Sequence, residues 1–167
     1  MLTNKLLEFF KVRVYKMKLA EALNRRAEIS QKLQELRERT IRNVLVQEGE
    51  QPSENPSDLL KLQEALFLEF ENLVASINQT NNQISLSDGK LMVLALSQRE
   101  TLKLKHSLYK SIASEATPKI SRYSKTEIKS ISVVNVSEVQ QSADLYAQQL
   151  RELDGKIQQA NWSNELV

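Results

Sequence analysis

The 167 residues include 23 Lys and Arg against 21 Asp and Glu, one His and no Cys. That excludes disulfides, thiol catalysis and Cys-ligated zinc, and an excess of only two positive charges is too balanced for a nucleic-acid binder that works by counterion release unless the charges segregate onto faces. Three Gly, three Pro and 5% aromatics in a chain that is 41% hydrophobic allow few turns between stretches rich in Leu, Glu, Gln, Lys, Arg and Ala, the composition of a few long helices in one domain.

The chain begins MLTNKLLEFFKVRVYK. Glu8, Lys11 and Arg13 interrupt its apolar run and no small-residue cleavage site follows, so it does not read as a secretory signal, and no stretch approaches the roughly 20 apolar residues of a membrane span. A cytoplasmic protein is expected. The regular helical pattern starts at Lys18, which makes residues 1–16 an extension, leaves Met1 and Met17 both open as the natural start, and gives 17–167 as a single helical domain. An amphipathic membrane-binding helix through Leu6, Leu7, Phe9 and Phe10 is the other reading of the extension.

From Leu19 the series Leu19, Ala22, Arg26, Ile29, Leu33, Leu36 and Thr40 steps by three and four, one seam of a helix reaching about Arg42. VLVQEGEQPSENP follows. Val44 to Gln47 is β-branched and apolar, and the remainder is acidic and turn-forming. Asn55 then caps a second helix with Pro56 at its first position and Asp58 in its first turn, carried by Leu59, Leu62, Leu66, Phe70, Leu73, Ile77 and Ile84. Leu60, Phe67 and Val74 widen its apolar face. SLSDG, residues 85–89, is turn chemistry, and Leu91, Leu94, Ala95, Leu102, Leu108, Tyr109 and Ile112 mark a third helix towards Ala116. The fourth is expected from Ser137, with Gln140 completing a capping box, along Val139, Ala143, Tyr146, Leu150, Leu153, Ile157 and Ala160.

Helices of equal length and short connections predict a mainly α fold: an antiparallel four-helix bundle of long, coiled-coil-like helices. Asn43 to Gln47 and Ile128 to Val136 break the helical period and are rich in β-branched residues. They are expected to pair as a short two-stranded β-ribbon. Its open edges, together with the widened face of the second helix, predict a homo-oligomer.

The segments MKLAEALNRRAEISQKLQELRERT, NVLVQEGEQPSE, INQTN, RYSKTEIK and RELDGKIQQANW, in that order from Met17 to the C-terminus, resemble the septicolysin-like family of small bacterial helical proteins. The resemblance implies a start at Met17 and, through the family's name, a membrane-acting cytolysin. It supplies no catalytic motif.

Chemistry in the residues themselves is sparse. His106 is a lone histidine, and Glu48, Glu50 and Glu54 lack the spacing of a metal-binding bundle, so neither metal nor cofactor is expected. There is no nucleophile elbow and no glycine-rich phosphate loop. Arg26 sits on a heptad seam, where a guanidinium must reach the edge or meet a carboxylate or anion. Antiparallel pairing of the ribbon would bring Arg122 and Tyr123 near Glu48 and Glu50. The candidate ligand site therefore comprises Arg26, Arg39, Glu48, Glu50, Arg99, Arg122 and Tyr123, set against an internal salt-bridge network as the plain alternative. Trp162 is expected to anchor the end of the last helix by packing. The functional expectation is a non-enzymatic, self-associating helical protein that binds a small ligand or protein at the ribbon end, with a cytolysin or an enzyme using the arginine and carboxylate cluster as rivals.

Overall fold

The structure, a computed structural model, describes residues 17–117 and 131–167. Four helices occur there: α1 (Leu19–Asn43), α2 (Pro56–Gln83), α3 (Met92–Ala116) and α4 (Val136–Ser163). The described residues fall into two compact units, one of residues 17–84 with 160–167 and one of residues 85–117 with 131–159.

In the first unit α1 and α2 pack as an antiparallel hairpin. Arg25 meets Glu69 and Thr40 meets Gln63, so positions rise along one helix as they fall along the other. Leu19, Ala22, Ile29, Leu73, Ile77 and Leu166 form the buried cluster, with Leu23, Leu33, Leu66 and Phe70 packed against it. Apart from Leu166, these follow the three- and four-residue steps of both helices, and the hydrophobic effect selects that stripe. Each end of the hairpin is tied locally. The Lys18 N–H donates to Glu21 Oε2 at 2.7 Å, and Asn55 Oδ1 accepts from the Ser57 N–H at 2.9 Å with Pro56 at the first helical position.

The C-terminal tail belongs to this unit. Leu19 N–H donates to Asn164 O at 3.0 Å and Leu166 N–H to Met17 O at 2.9 Å, a short antiparallel bridge of Lys18 with Glu165. The tail thereby satisfies an amide that the first turn of α1 leaves without an intrahelical partner.

In the second unit α3 and α4 also run antiparallel. Asp88 pairs with Lys156, and the Tyr109 and Tyr146 rings meet edge to face at 5.2 Å between centroids. Leu86 N–H donates to Lys90 O and Gly89 N–H to Leu86 O, with Gly89 at φ 81°, so SLSDG closes as a tight turn whose left-handed position suits only glycine at no steric cost. Helix α4 begins at Val136, one residue before the expected start. Its cap is Asn135, whose Oδ1 accepts from the Ser137 and Glu138 N–H groups while its Nδ2 donates to Glu138 Oε1 at 2.7 Å. Both Asn-x-Ser-acid sequences, Asn55 to Asp58 and Asn135 to Glu138, therefore open helices through the asparagine.

The expected β-ribbon is overturned. Mainly α holds, but neither Val44 to Gln47 nor Ile131 to Val136 is a strand, and the described residues contain no sheet. Ile128 to Ser130 lie outside them. Leu45 is 87% exposed and Val133 95%. In the second segment the bonding is local: Ser132 Oγ donates to Val134 O at 2.7 Å, and Asn135 Oδ1 accepts from the Ser137 N–H. β-Branched composition marked segments that leave the helical period, but it does not by itself supply the partner backbone that a strand needs.

Candidate functional site

The most organised polar cluster lies where α1 turns into α2. Arg39 Nε donates to Glu54 Oε2 at 2.9 Å and its Nη2 to Oε1. Glu54 is itself fixed, because its N–H donates to Asn43 Oδ1 at 3.1 Å while Asn43 Nδ2 donates to Arg39 O. Beside them Gln63 Nε2 donates to Thr40 Oγ1 at 2.8 Å, and both residues are buried. The Arg39 guanidinium holds the Glu54 carboxyl below the usual carboxylate range, chiefly through the hydrogen bond, and the pair in turn raises Arg39. A bidentate fork of this kind could clamp a ligand carboxylate or phosphate. Here Glu54 fills it.

Glu48 and Glu50 flank Gly49, which has φ 91°, on an exposed turn closed by Glu50 N–H to Gln47 O at 3.0 Å. They point to solvent rather than to Arg39. The carboxylate that matters is Glu54. Its place next to the Asn55-Pro56 helix start was the available signal, since a residue beside a cap is held in position while one beside a glycine turn is not.

Arg26 is exposed on α1, so the expectation of a carboxylate or anion held inside the hairpin gives way to a side chain that reaches water along its stem. The interhelical arginine is its neighbour Arg25, with Nη2 2.7 Å from Glu69 Oε1 and a second contact to Glu28. Glu69 is the more enclosed partner. Arg26 and Arg39 are 13 positions apart on one helix, about 20 Å at 1.5 Å per residue, so they do not share a site. Arg99 belongs to the second unit, where it contacts Glu100 at 3.1 Å and Asp154 on α4 at 4.0 Å. Arg122 and Tyr123 lie outside the described residues. The described members of the cluster are thus separate ion pairs and exposed charges. His106 is half-buried on α3, and no group of three metal-ligating side chains occurs among the described residues.

The other organised feature is apolar. Met92, Ala95, Leu102 and Ala113 are the buried side of α3, yet Leu94, Leu104, Leu108 and Ile112 are 57%, 73%, 56% and 37% exposed. At 100° per residue these four fall within about 80° of one another and roughly a quarter turn or more from the buried set. Helix α3 therefore has two apolar faces. Sequence reading placed Leu94, Leu108 and Ile112 in a single stripe with Leu102, because a step of seven or eight residues joins members of either face. Trp162, expected to pack, is 57% exposed instead, and Phe67 and Leu60 on α2 are half exposed. No described helix is long and apolar enough to cross a membrane.

Comparison with known proteins fits this architecture to a family. No curated protein matches the chain. A crystal structure of a functionally unknown conserved protein from Corynebacterium diphtheriae superposes with a TM-score of 0.86 at 40% identity, covering 90% of this chain and 99% of that one. The family model described as a family of unknown function, DUF6847, matches residues 26–166, and the chain belongs to that family.

Proposed function

We propose that the protein is a non-enzymatic helical protein that works by self-association, with the exposed face of α3 as its contact. The observation that supports this reading is the second apolar face carried by Leu94, Leu104, Leu108 and Ile112, on the side of the helix away from its buried residues. A soluble chain that presents an ordered apolar stripe along a helix gains by covering it. Burying half of each of four such side chains on two copies is worth on the order of 5 to 10 kcal/mol in gross terms. The loss of free motion on association is of similar size, so the dimer should be concentration-dependent. The chemistry favours a scaffold over an enzyme for a plain reason: Arg39 and Arg99 are engaged with carboxylates of their own chain.

Light scattering coupled to size exclusion tests the proposal. A mass above the 19.1 kDa of one chain, falling to that of one chain in Leu104→Glu, is the expected result. A single-chain mass for the unaltered protein across the micromolar range would overturn it.

The second reading is the membrane-acting cytolysin implied by the septicolysin-like resemblance. Exposed Trp162 and Phe67 favour it, because aromatic side chains of this kind partition into bilayer interfaces. Release of dye from anionic and neutral liposomes at micromolar protein tests it, and absence of release removes it.

A further inference from the structure

We infer that the exposed face of α3 pairs with the same face of a second copy in parallel and in register; this rests on the self-association reading above and adds its geometry. Written as heptads, the face places Leu94, Thr101 and Leu108 at successive a positions and Ser97, Leu104 and Ser111 at d, while the buried residues Ala95, Leu102 and Ala113 fall at b and f. No charge lies on the a and d positions from Leu94 to Ser111. Two of the hydroxyls on this face are already satisfied within the helix, Ser97 Oγ donating to Val93 O at 3.0 Å and Thr101 Oγ1 to Ser97 O at 3.1 Å. The face can therefore lose its water there without stranding those donors.

Flanking charge selects the direction. Parallel helices bring each g position against the e position five residues on in the partner, which sets Glu100 against Lys105 twice by symmetry. Antiparallel helices bring e against e and g against g. Lys105 would then face Gln98, Ile112 or another Lys105, and Glu100 would face Val93, Ser107 or another Glu100, so neither flank would gain an opposite charge. The Glu100 carboxylate accepts from Arg99 and Lys103 through Oε1 alone, leaving Oε2 for the partner. Lys105 lies on the same helix with its ammonium 5.4 Å from the centre of the Tyr146 ring, and its flexible stem lets it swing to a carboxylate.

The absence of cysteine makes the test direct. Leu94→Cys and Leu108→Cys are prepared as separate single variants of the full chain, mixed under reducing conditions and then oxidised mildly, and the links are read by peptide mass spectrometry. Parallel pairing predicts Cys-to-Cys links at position 94 with itself and at 108 with itself, since a bond forms only where the two Cβ atoms come within about 4.5 Å. Residues 94 and 108 are about 21 Å apart along the axis, and antiparallel pairing sets a positions against d positions, so it would give neither self-link. A dimeric mass with neither self-link would overturn parallel α3 pairing and leave self-association standing, whereas a single-chain mass for the unaltered protein would overturn both. Glu100→Lys should weaken association roughly tenfold and Glu100→Lys with Lys105→Glu should restore it. Unchanged association in Glu100→Lys would count against this register.

Discussion

The hydroxyl of Thr80, wholly buried near the end of α2, accepts the backbone N–H of Val167 at 3.0 Å across 87 positions of sequence. The same hydroxyl donates to Ser76 O at 2.8 Å. A single side chain therefore joins the last residue of the chain to the helix hairpin, next to Leu166 in the core cluster. The start of α1 is clasped by the same tail through Leu19 and Met17.

Replacing Thr80 by Val should cost about 1 kcal/mol, because the Val167 N–H and Ser76 O both lose their bond to the buried hydroxyl. Thr80→Ser keeps the hydroxyl and should cost less. Leu166→Ala should cost more than either, about 2 to 5 kcal/mol, since it opens a cavity in the cluster. Urea denaturation of the three variants checks the order. Equal stabilities for Thr80→Val and Thr80→Ser would show that the hydroxyl is not what holds the tail.

Helix α4 should depend on Asn135 and be indifferent to Ser137. Asn135→Ala removes the acceptor for two first-turn amides and should destabilise by about 1 kcal/mol, as should Asn55→Ala on α2. Ser137→Ala should stay within about 0.5 kcal/mol. Thermal melts followed by circular dichroism distinguish this from a serine cap, which would reverse the ranking of Asn135 and Ser137.

Arg26→Ala should change stability by less than about 0.5 kcal/mol, as for other exposed surface positions. Arg25→Ala should cost more, roughly 1 kcal/mol, because Glu69 is partly enclosed and loses its charged partner. Denaturation midpoints of the two single variants settle which arginine joins the helices.

The dependence on pH follows from the sign of the shifts. Glu54 and Asp88 both have carboxyl groups lowered from ordinary values of 4.5 and 3.8, by the Arg39 hydrogen bond and by the Lys156 hydrogen bond respectively. The folded state binds fewer protons at these groups than the unfolded chain does, so their contribution is complete above the ordinary values and is lost as pH falls through the lowered ones. Both pairs are exposed enough for salt to weaken them. Acid titration of the melting temperature should therefore show a steeper fall below about pH 4.5 in the unaltered protein than in Glu54→Gln with Asp88→Asn. Matching profiles would mean that these pairs add nothing to the fold.

The sequence by itself determined the four helices, because their periodicity, caps and turn glycines are local: Leu19, Asn55 with Pro56, Gly89 and the heptads of α4 act within a few residues of themselves. It also located the acidic turn around Gly49. What only the tertiary structure decided was partnership. Which of Arg25 and Arg26 crosses to α2 depends on a rotation of about 100° around the helix, and a seam written in threes and fours tolerates either. Whether Glu48, Glu50 or Glu54 reaches Arg39 depends on where Asn43 holds the returning chain. The two faces of α3 merged in sequence for the same reason, since burial is a property of the neighbours that a helix meets and not of its own pattern. Strand formation in VLVQ and SVVNV failed on a like ground: β-branched residues favour an extended backbone, but a strand exists only when another backbone offers its hydrogen bonds, and in SVVNV the Ser132 side chain bonds Val134 instead.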